Sequence, residues 1–212
     1  VGDPQFEPHG SPVTGQEVYK LDEIGRIFVF GAGKGIQRVA KALEDALGEH
    51  LSGGHVIDKK GHPVILERIG VTLGGHPVPD EDCVHGCQRI LEMLEDLRSD
   101  DLVFTCAANG VSALLTLPVP GLTLEDVKAT TRIMQIEHGA PTHDLNPIRN
   151  HLDMLKGGRI SRRIAPARAV HIIAIEPGSH DALMHENYWL HSLPDATTYD
   201  QAIDNLKRWD AW

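Results

Sequence analysis

Residues Asp101 to Ser112 combine the features of a strand end, a small-residue loop and a helix start. A short apolar run, Leu102 to Thr105, passes through small residues and reaches Ser112, which Ala-Leu-Leu follows. A loop that leads from a strand into a helix N-terminus collects unpaired backbone N–H groups and the positive end of the helix dipole. The segment therefore predicts a site for an anion, although an ordinary strand-to-helix turn fits the local pattern equally well.

Lys34 lies in a glycine-rich turn, Gly31-Ala-Gly-Lys-Gly35, that follows another apolar run. An ammonium group in such a turn can meet a carboxylate or a phosphoryl group in transfer. The alternative is a solvated lysine in a tight turn. Ile36 stands where a dinucleotide-binding loop needs its third glycine, and the Walker A spacing is absent. An NAD-dependent oxidoreductase is therefore not favoured.

A group of basic residues occurs later in the chain. Arg149, Lys156 and Arg159 fall on one predicted helix and at its end, and the first two share a face of that helix. In a chain of net charge −10 such a group is suited to bind a carboxylate or a phosphate, while a solvated basic helix face is the alternative. Asn146 and Ser112 are candidate hydrogen-bond donors to the same ligand.

Histidines and carboxylates near the end of the chain form a weaker pattern. The residues are His180, His185 and His191 with Glu176, Asp181 and Glu186. Their spacing matches no recognised metal-binding motif, so packing and surface positions are favoured over a metal site. His76 lies in a Pro-rich loop, where a role in a rigid turn is favoured over a ligand contact.

The hydrophobic pattern alternates strands and helices. Strands are predicted at 26–30, 55–58, 64–66, 69–73, 102–105 and 170–175, and helices from 36 to 47, 83 to 97, 123 to 137 and 145 to 155, from 112, and after 197. This order predicts an α/β fold, a Rossmann-like three-layer α/β/α arrangement with a mainly parallel sheet. Ligands of such sheets bind beyond the carboxyl ends of the strands. Residues 1–22 are predicted to form an extended arm, and residues 23–212 one α/β domain.

Composition narrows the range of partners. The chain has 212 residues, 41% of them hydrophobic, and a net charge of −10, which argues against a nucleic acid or a membrane surface as the main partner. No apolar run is long enough to span a bilayer, and we expect no leader sequence. Three cysteines cannot all pair, which favours a reducing compartment. We therefore expect a cytoplasmic protein whose partners are small anionic molecules.

Five motifs occur in a familiar order and spacing. They are Gly31-Ala-Gly-Lys34, Gly75-His-Pro-Val-Pro-Asp80, Ser112-Ala-Leu-Leu115, Leu122-Thr-Leu-Glu-Asp126, and Asn146-Pro-Ile-Arg149 with His151-Leu and Lys156-Gly-Gly-Arg159. The chain resembles the N-terminal domain of the glycerate 2-kinases that carry a C-terminal MOFRL domain. The resemblance implies ATP-dependent phosphorylation of glycerate or a related small hydroxy acid, with ATP and Mg²⁺ bound.

The same resemblance implies roles for particular residues. Lys34 would be the catalytic lysine, and Glu176 and Asp181 would hold the metal. The residues expected to bind substrate or phosphate are Asn109, Gly110, Ser112, Asn146, Arg149, Lys156 and Arg159. The C-terminal domain of the family, which is similar to a lid over the nucleotide, is expected to be absent from this chain. A homo-oligomer or a partner chain would then cover its place.

The chain departs from the family at chemical positions. Asn109 and Val111 stand where the kinases have glycine, so a loop that would let the backbone approach a phosphate carries side chains. Pro177 and His180 change the segment after the last predicted strand. Two functions stay open: a glycerate 2-kinase-like phosphotransferase, and a catalytically degenerate kinase-like subunit or ligand-binding module of a larger complex. The retained basic residues favour the first function, and the altered loops favour the second.

Overall fold

A five-stranded parallel sheet forms the centre of the protein. The computed structural model describes residues 5–6, 13–14, 19–174 and 191–212. The strands are β1 (Ile27–Ala32), β2 (Leu51–Lys59), β3 (Gly70–Gly74), β4 (Leu102–Ala108) and β5 (Arg168–Ala174). Their order in the sheet is β3-β2-β1-β4-β5, and all neighbours are parallel. A separate two-residue antiparallel pair joins Gln5–Phe6 to Val13–Thr14.

Helices pack against both faces of the sheet. They are α1 (Ile36–Leu47), α2 (Glu81–Leu94), α3 (Val111–Leu114), α4 (Leu124–Thr131), α5 (Thr142–His151), α6 (Arg159–Ile164) and α7 (Tyr199–Arg208). A π-helical turn, Arg132–Glu137, continues α4, and short 3₁₀ turns occur at Leu21–Glu23 and Gly48–His50. None of the described helices is long and apolar enough to cross a membrane.

Alternation along β1 divides the core into two layers. Phe28 and Phe30 face a cluster built largely from α2, α3 and α6, whereas Ile27 and Val29 face a cluster that includes α1. Successive strand residues point to opposite faces, so a continuous apolar strand must be covered on both sides. The predicted three-layer α/β/α arrangement is confirmed. A third, smaller cluster joins α5 to α7 through Leu145, Ile148 and Ala202 among others.

The start of α4 agrees with the sequence pattern. Thr123 accepts a hydrogen bond from the Asp126 N–H, and the Asp126 carboxylate accepts from the Thr123 N–H in return. This capping box satisfies two of the N–H groups that a helix start leaves unpaired. The predicted helix continues to Glu137, but its last six residues form the π-helical turn.

The strand predicted at 64–66 is wrong. Val64 and Ile65 are exposed, and the Ile65 N–H donates to Oε1 of Gln37 on α1 at 3.0 Å. The buried Glu44 of α1 likewise accepts hydrogen bonds from the backbone N–H groups of residues 67, 68 and 69. This segment therefore pairs its backbone with side chains of α1 and not with the sheet.

The helix predicted at 145–155 is also wrong in its bounds, because α5 ends at His151. Beyond that end, the Asp153 carboxylate accepts from the N–H groups of Leu117 and Leu155, each at 2.8 Å. Asp153 also forms an isolated β-bridge with Pro118. These contacts stop the helix, so Lys156 and Arg159 do not share a helix with Arg149.

Candidate anion-binding site

The loops after β1 and β4 meet where the order of the strands reverses. The chain adds β2 and β3 on one side of β1, and β4 and β5 on the other. In parallel α/β sheets the ligand crevice opens at this point, beyond the carboxyl ends of the two central strands. The Lys34 N–H donates to the Asn109 carbonyl at 2.8 Å, which joins the two loops directly. A Cβ at Gly33 would lie 2.6 Å from the Ala108 Cβ, so only glycine permits this approach.

The backbone of the loop after β1 is occupied by acceptors of the protein itself. The Gly33 N–H donates to the Ile57 carbonyl at 3.0 Å, and the Gly35 N–H donates to the Asp58 carboxylate at 2.7 Å. Asp58 is almost fully buried and also accepts from the Lys59 N–H at 2.7 Å. Its carboxylate thus takes the place of an anion at the start of α1. Lys34 is exposed, and its side chain is the part of this loop that can reach a ligand.

The loop after β4 has the opposite property. Within the described part of the chain, the N–H groups of Gly110, Val111 and Ser112 donate to no acceptor. Gly110 has a φ of 84°, and a Cβ there would lie 2.7 Å from His76 Nε2 and 3.2 Å from Lys34 Cγ. The loop therefore lies against both side chains and presents free donors. Because α3 has only four residues, its dipole contributes little positive potential here.

The pKa of His76 reflects the basic side chains around this loop. Burial lowers the pKa of His76, and the positive charges of Lys34, Lys59 and Arg149 lower it further. The lowered pKa favours the neutral imidazole near pH 7. A turn role alone does not describe His76, because the structure also places its side chain beside the predicted anion-binding loop. The signal in the sequence was its position directly after a strand, at the carboxyl edge of the sheet.

Arg149 is the buried member of this basic group. Its guanidinium donates only to neutral oxygens: Thr131 Oγ1 at 3.3 Å, Gln135 Oε1 at 3.4 Å and Asn146 Oδ1 at 3.5 Å. No carboxylate of the described residues forms an ion pair with it. Burial lowers the pKa of Arg149 to about 10. Asn146 is fully buried as well, and its Nδ2 has no acceptor among the described residues.

Ser112 and His191 form a buried pair beside these residues. Ser112 Oγ and His191 Nε2 lie 3.2 Å apart. Burial lowers the pKa of His191 well below its usual value, and the charges of Lys156 and Arg149 act in the same direction. His191 belongs to the weak metal-site pattern in the sequence, but here its imidazole contacts a hydroxyl. Across the described ranges, no group of three or more His, Cys, Asp or Glu could hold a metal ion.

Two members of the predicted basic group serve the protein itself. Lys156 is buried, and its Nζ contacts Asp153 Oδ2 at 2.6 Å and Thr116 Oγ1 at 3.2 Å. Arg159 donates to the carbonyls of Asn150 at 2.5 Å and Lys156 at 3.1 Å, and so satisfies acceptors near the end of α5. In this geometry Asp153 neutralises the charge of Lys156, whereas Arg149 and Arg159 donate only to neutral oxygens among the described residues. The ligand roles of all three residues stay predictions.

The substituted loop positions differ in their consequences. Asn109 is exposed beside the crevice, whereas Val111 is buried in the core cluster with α2. The side chain of Val111 therefore does not enter the crevice. The sequence had predicted that both substituted positions, Asn109 and Val111, would place side chains in this loop. Glu176 and Asp181, the predicted metal ligands, lie outside the described residues, as do Pro177 and His180.

A family model described as a domain of unknown function, DUF4147, matches residues 4–176. The chain belongs to this family. The DUF4147 chain is 34% identical over 188 residues to a glycerate 2-kinase of Pyrococcus horikoshii, covering 89% of this chain and 41% of that relative. It is 31% identical over 189 residues to a D-glycerate 2-kinase of Thermotoga maritima, covering 88% of this chain and 44% of the relative.

A solved structure agrees with these matches. The crystal structure of a glycerate kinase from Thermotoga maritima superimposes with a TM-score of 0.75 at 30% sequence identity, over 89% of this chain and 45% of the other. The resemblance of the five motifs to glycerate 2-kinases is therefore confirmed. The DUF4147 chain spans less than half the length of these relatives.

Proposed function

We propose that the chain forms the glycerate-binding half of a glycerate 2-kinase-like phosphotransferase. One observation carries the proposal. Gly110 lies against His76 and Lys34, in a loop whose N–H groups have no acceptor among the described residues. The positive charges of Lys34, Lys59 and Arg149 lower the pKa of His76, and none of the three forms an ion pair with a described carboxylate. In a chain of net charge −10, such a convergence is suited to a small anion with more than one charged group.

Phosphoryl transfer depends mainly on positioning and on neutralising charge, and the described residues offer both. The Lys34 ammonium would stabilise charge on the transferring phosphoryl oxygens, and the N–H groups of Gly110, Val111 and Ser112 would donate to the same oxygens. Lys34 is held in place by the bond between its own N–H and the Asn109 carbonyl. In this proposal ATP is the phosphoryl donor, as in the kinases that the chain resembles.

The described residues fit an anionic substrate better than they fit Mg²⁺. The carboxylates of Asp58 and Asp153 are buried and already accept from backbone N–H groups, and Asp153 also pairs with Lys156. Metal ligands would have to come from outside the described residues, where Glu176 and Asp181 stay a prediction. We further propose that a second, MOFRL-like domain completes the site, in a longer chain, in a second copy or in a partner chain.

Binding without transfer is the second candidate function. The observation that favours it is the Asp58 carboxylate, which fills the start of α1 where a phosphate could otherwise dock. A module of this kind would bind glycerate or a related acid and form no ADP.

Calorimetric titration of the chain with D-glycerate and with Mg-ATP, together with an assay for ADP, tests both functions. For the kinase we expect saturable binding of both ligands, and at least a tenfold loss of Mg-ATP affinity in Lys34→Ala. Lys20→Ala is the matched control, because the Lys20 side chain is 72% exposed and pairs only with Glu23 among the described residues. Glycerate binding without binding of Mg-ATP would favour the binding module. A folded chain that binds neither ligand would make both functions wrong.

A further inference from the structure

The environment of Arg149 is unusual for a buried arginine. Arg149 is only 6% exposed, and its three hydrogen-bond partners among the described residues are neutral oxygens at 3.3 to 3.5 Å. Removing a guanidinium from water carries a large desolvation cost, which a carboxylate partner normally offsets. Arg26 shows the usual solution, since it pairs with Asp101 at 2.7 Å and with Asp96 at 2.8 Å. No described carboxylate does this for Arg149.

A spare donor lies next to this charge. Asn146 Oδ1 accepts from Arg149, and Nδ2 of the same amide is buried without an acceptor within the described residues. A buried amide N–H₂ with no partner costs free energy unless a ligand or water accepts from it. Arg149 and Asn146 together therefore lack one acceptor group, and a carboxylate has the oxygens to supply it.

The surroundings set the charge of the missing group. A small cavity adjoins Arg149 and is also lined by Thr131, Asp153 and Lys156. Lys156 and Asp153 neutralise each other at 2.6 Å, so the cavity carries the single positive charge of Arg149. A monoanion balances that charge, whereas a dianion would leave one negative charge uncompensated.

The π-helical turn after α4 supplies an independent observation. Turns of this kind occur often at functional sites, because they re-aim side chains on a helix. Here Thr131 and Gln135, on either side of the turn's start, both direct oxygens at the Arg149 guanidinium. These contacts hold the guanidinium in one orientation without neutralising it, which preorganises it for a planar, two-oxygen ligand.

We propose that Arg149 and Asn146 form a carboxylate subsite that selects monocarboxylates, separate in role from the Lys34 and Gly110 loops that take the phosphoryl group. This inference rests on the proposed function, and it states which residues bind each end of the substrate. The bidentate guanidinium holds the carboxylate, Asn146 Nδ2 donates to it, and the hydroxyl end of the substrate lies toward Lys34. Polyols that lack the carboxylate leave the buried charge unpaired and bind weakly.

The test compares ligands and variants of the whole chain. D-Glycerate should bind at least tenfold more tightly than glycerol, which differs by the carboxylate. Arg149→Met should lose that preference, with at least a tenfold weaker affinity for D-glycerate, while Mg-ATP affinity changes less than threefold. Arg149→Lys keeps the charge but not the planar fork, so an intermediate loss is expected.

Thermal melting separates ligand binding from a structural role. Because Arg149→Met removes an unpaired buried charge, we expect its melting temperature to equal or exceed that of the wild type. Arg26→Met is the matched control: it should melt at a lower temperature, since the buried Asp101 carboxylate loses its ion pair and keeps only the bond from the Arg98 N–H, and it should bind D-glycerate normally.

Three outcomes would overturn the inference. The first is a folded Arg149→Met that binds D-glycerate as the wild type does; with Mg-ATP binding intact, the proposed function would still stand. The second is equal wild-type affinity for glycerol and D-glycerate. The third is a larger fall in melting temperature for Arg149→Met than for Arg26→Met, which would make Arg149 a structural residue.

Discussion

The ion pair between Lys156 and Asp153 allows a decisive test of whether Lys156 binds ligand or supports the fold. The Lys156 side chain is 1% exposed and that of Asp153 is 4% exposed, with Nζ and Oδ2 only 2.6 Å apart. Removing one partner of a buried pair usually costs about 3–5 kcal/mol, because the other charge is left uncompensated. Asp153 keeps bonds from the N–H groups of Leu117 and Leu155, so we expect Lys156→Met to cost about 3 kcal/mol, the low end of that range.

Urea denaturation at pH 7 measures this loss, and for a chain of this size it corresponds to a fall of about 6–12 °C in melting temperature. A double-mutant cycle with Asp153→Asn should give a coupling energy of about 1.5–3 kcal/mol, since neither single variant adds a new interaction. The reasoning would be refuted if Lys156→Met changed stability by less than about 0.5 kcal/mol or if the two losses simply added. A stable Lys156→Met variant with weakened D-glycerate binding would restore Lys156 as a ligand residue.

Three further predictions follow from the same region. Asp58→Ala should destabilise the chain by about 2–4 kcal/mol in urea, because two short bonds from the N–H groups of Gly35 and Lys59 lose their acceptor. Gly110→Ala should weaken D-glycerate or Mg-ATP binding at least tenfold in calorimetry, since its Cβ would lie 2.7 Å from His76 Nε2. The free energy of unfolding should fall as the pH is lowered from 7 to 5. Burial lowers the pKa of His191, so the unfolded chain takes up the proton first, below about pH 6.5, and stability is lost with it.

Controls make these expectations specific. Asp45→Ala, at an exposed position of α1, should leave stability within about 0.5 kcal/mol of the wild type. His191→Gln should reduce the slope of unfolding free energy against pH, whereas an unchanged slope would show that His191 does not titrate in this range. Binding by Gly110→Ala equal to that of the wild type would place the ligand away from the loop after β4.

Local sequence patterns were sufficient to predict the helices that bury one apolar face. Helix α1 begins at Ile36 and ends at Leu47, as its spacing predicts, because Ile36, Ala40 and Leu47 all pack into the core. The glycine turn after β1 and the loop after β4 could be predicted for a similar reason, because each directly follows a buried apolar strand. These features depend on residues within one turn or one strand.

Contacts between distant residues account for the errors. Residues 64–66 look like a strand, but Gln37 binds the backbone of Ile65 from 28 positions away in sequence. Periodicity carries no information about a buried polar side chain that captures a remote backbone group. Asp58, which fixes the loop around Lys34, was missed for this reason. The partner of Lys156 was visible in principle, because Asp153 precedes it by three residues.

The position of the crevice between β1 and β4 links ligand binding to the cohesion of the sheet. Strands β1 to β3 come from one continuous stretch of chain and β4 and β5 from another. Among the described strands, the two stretches pair only along the boundary between β1 and β4. A ligand that contacts Lys34 and the loop after β4 binds both sides of that boundary. At a concentration of 100 times its dissociation constant it would stabilise the closed boundary by about 2.7 kcal/mol. Amide hydrogen exchange in β1 and β4 should therefore slow together on binding. The ligand would hold the two parts of the sheet together.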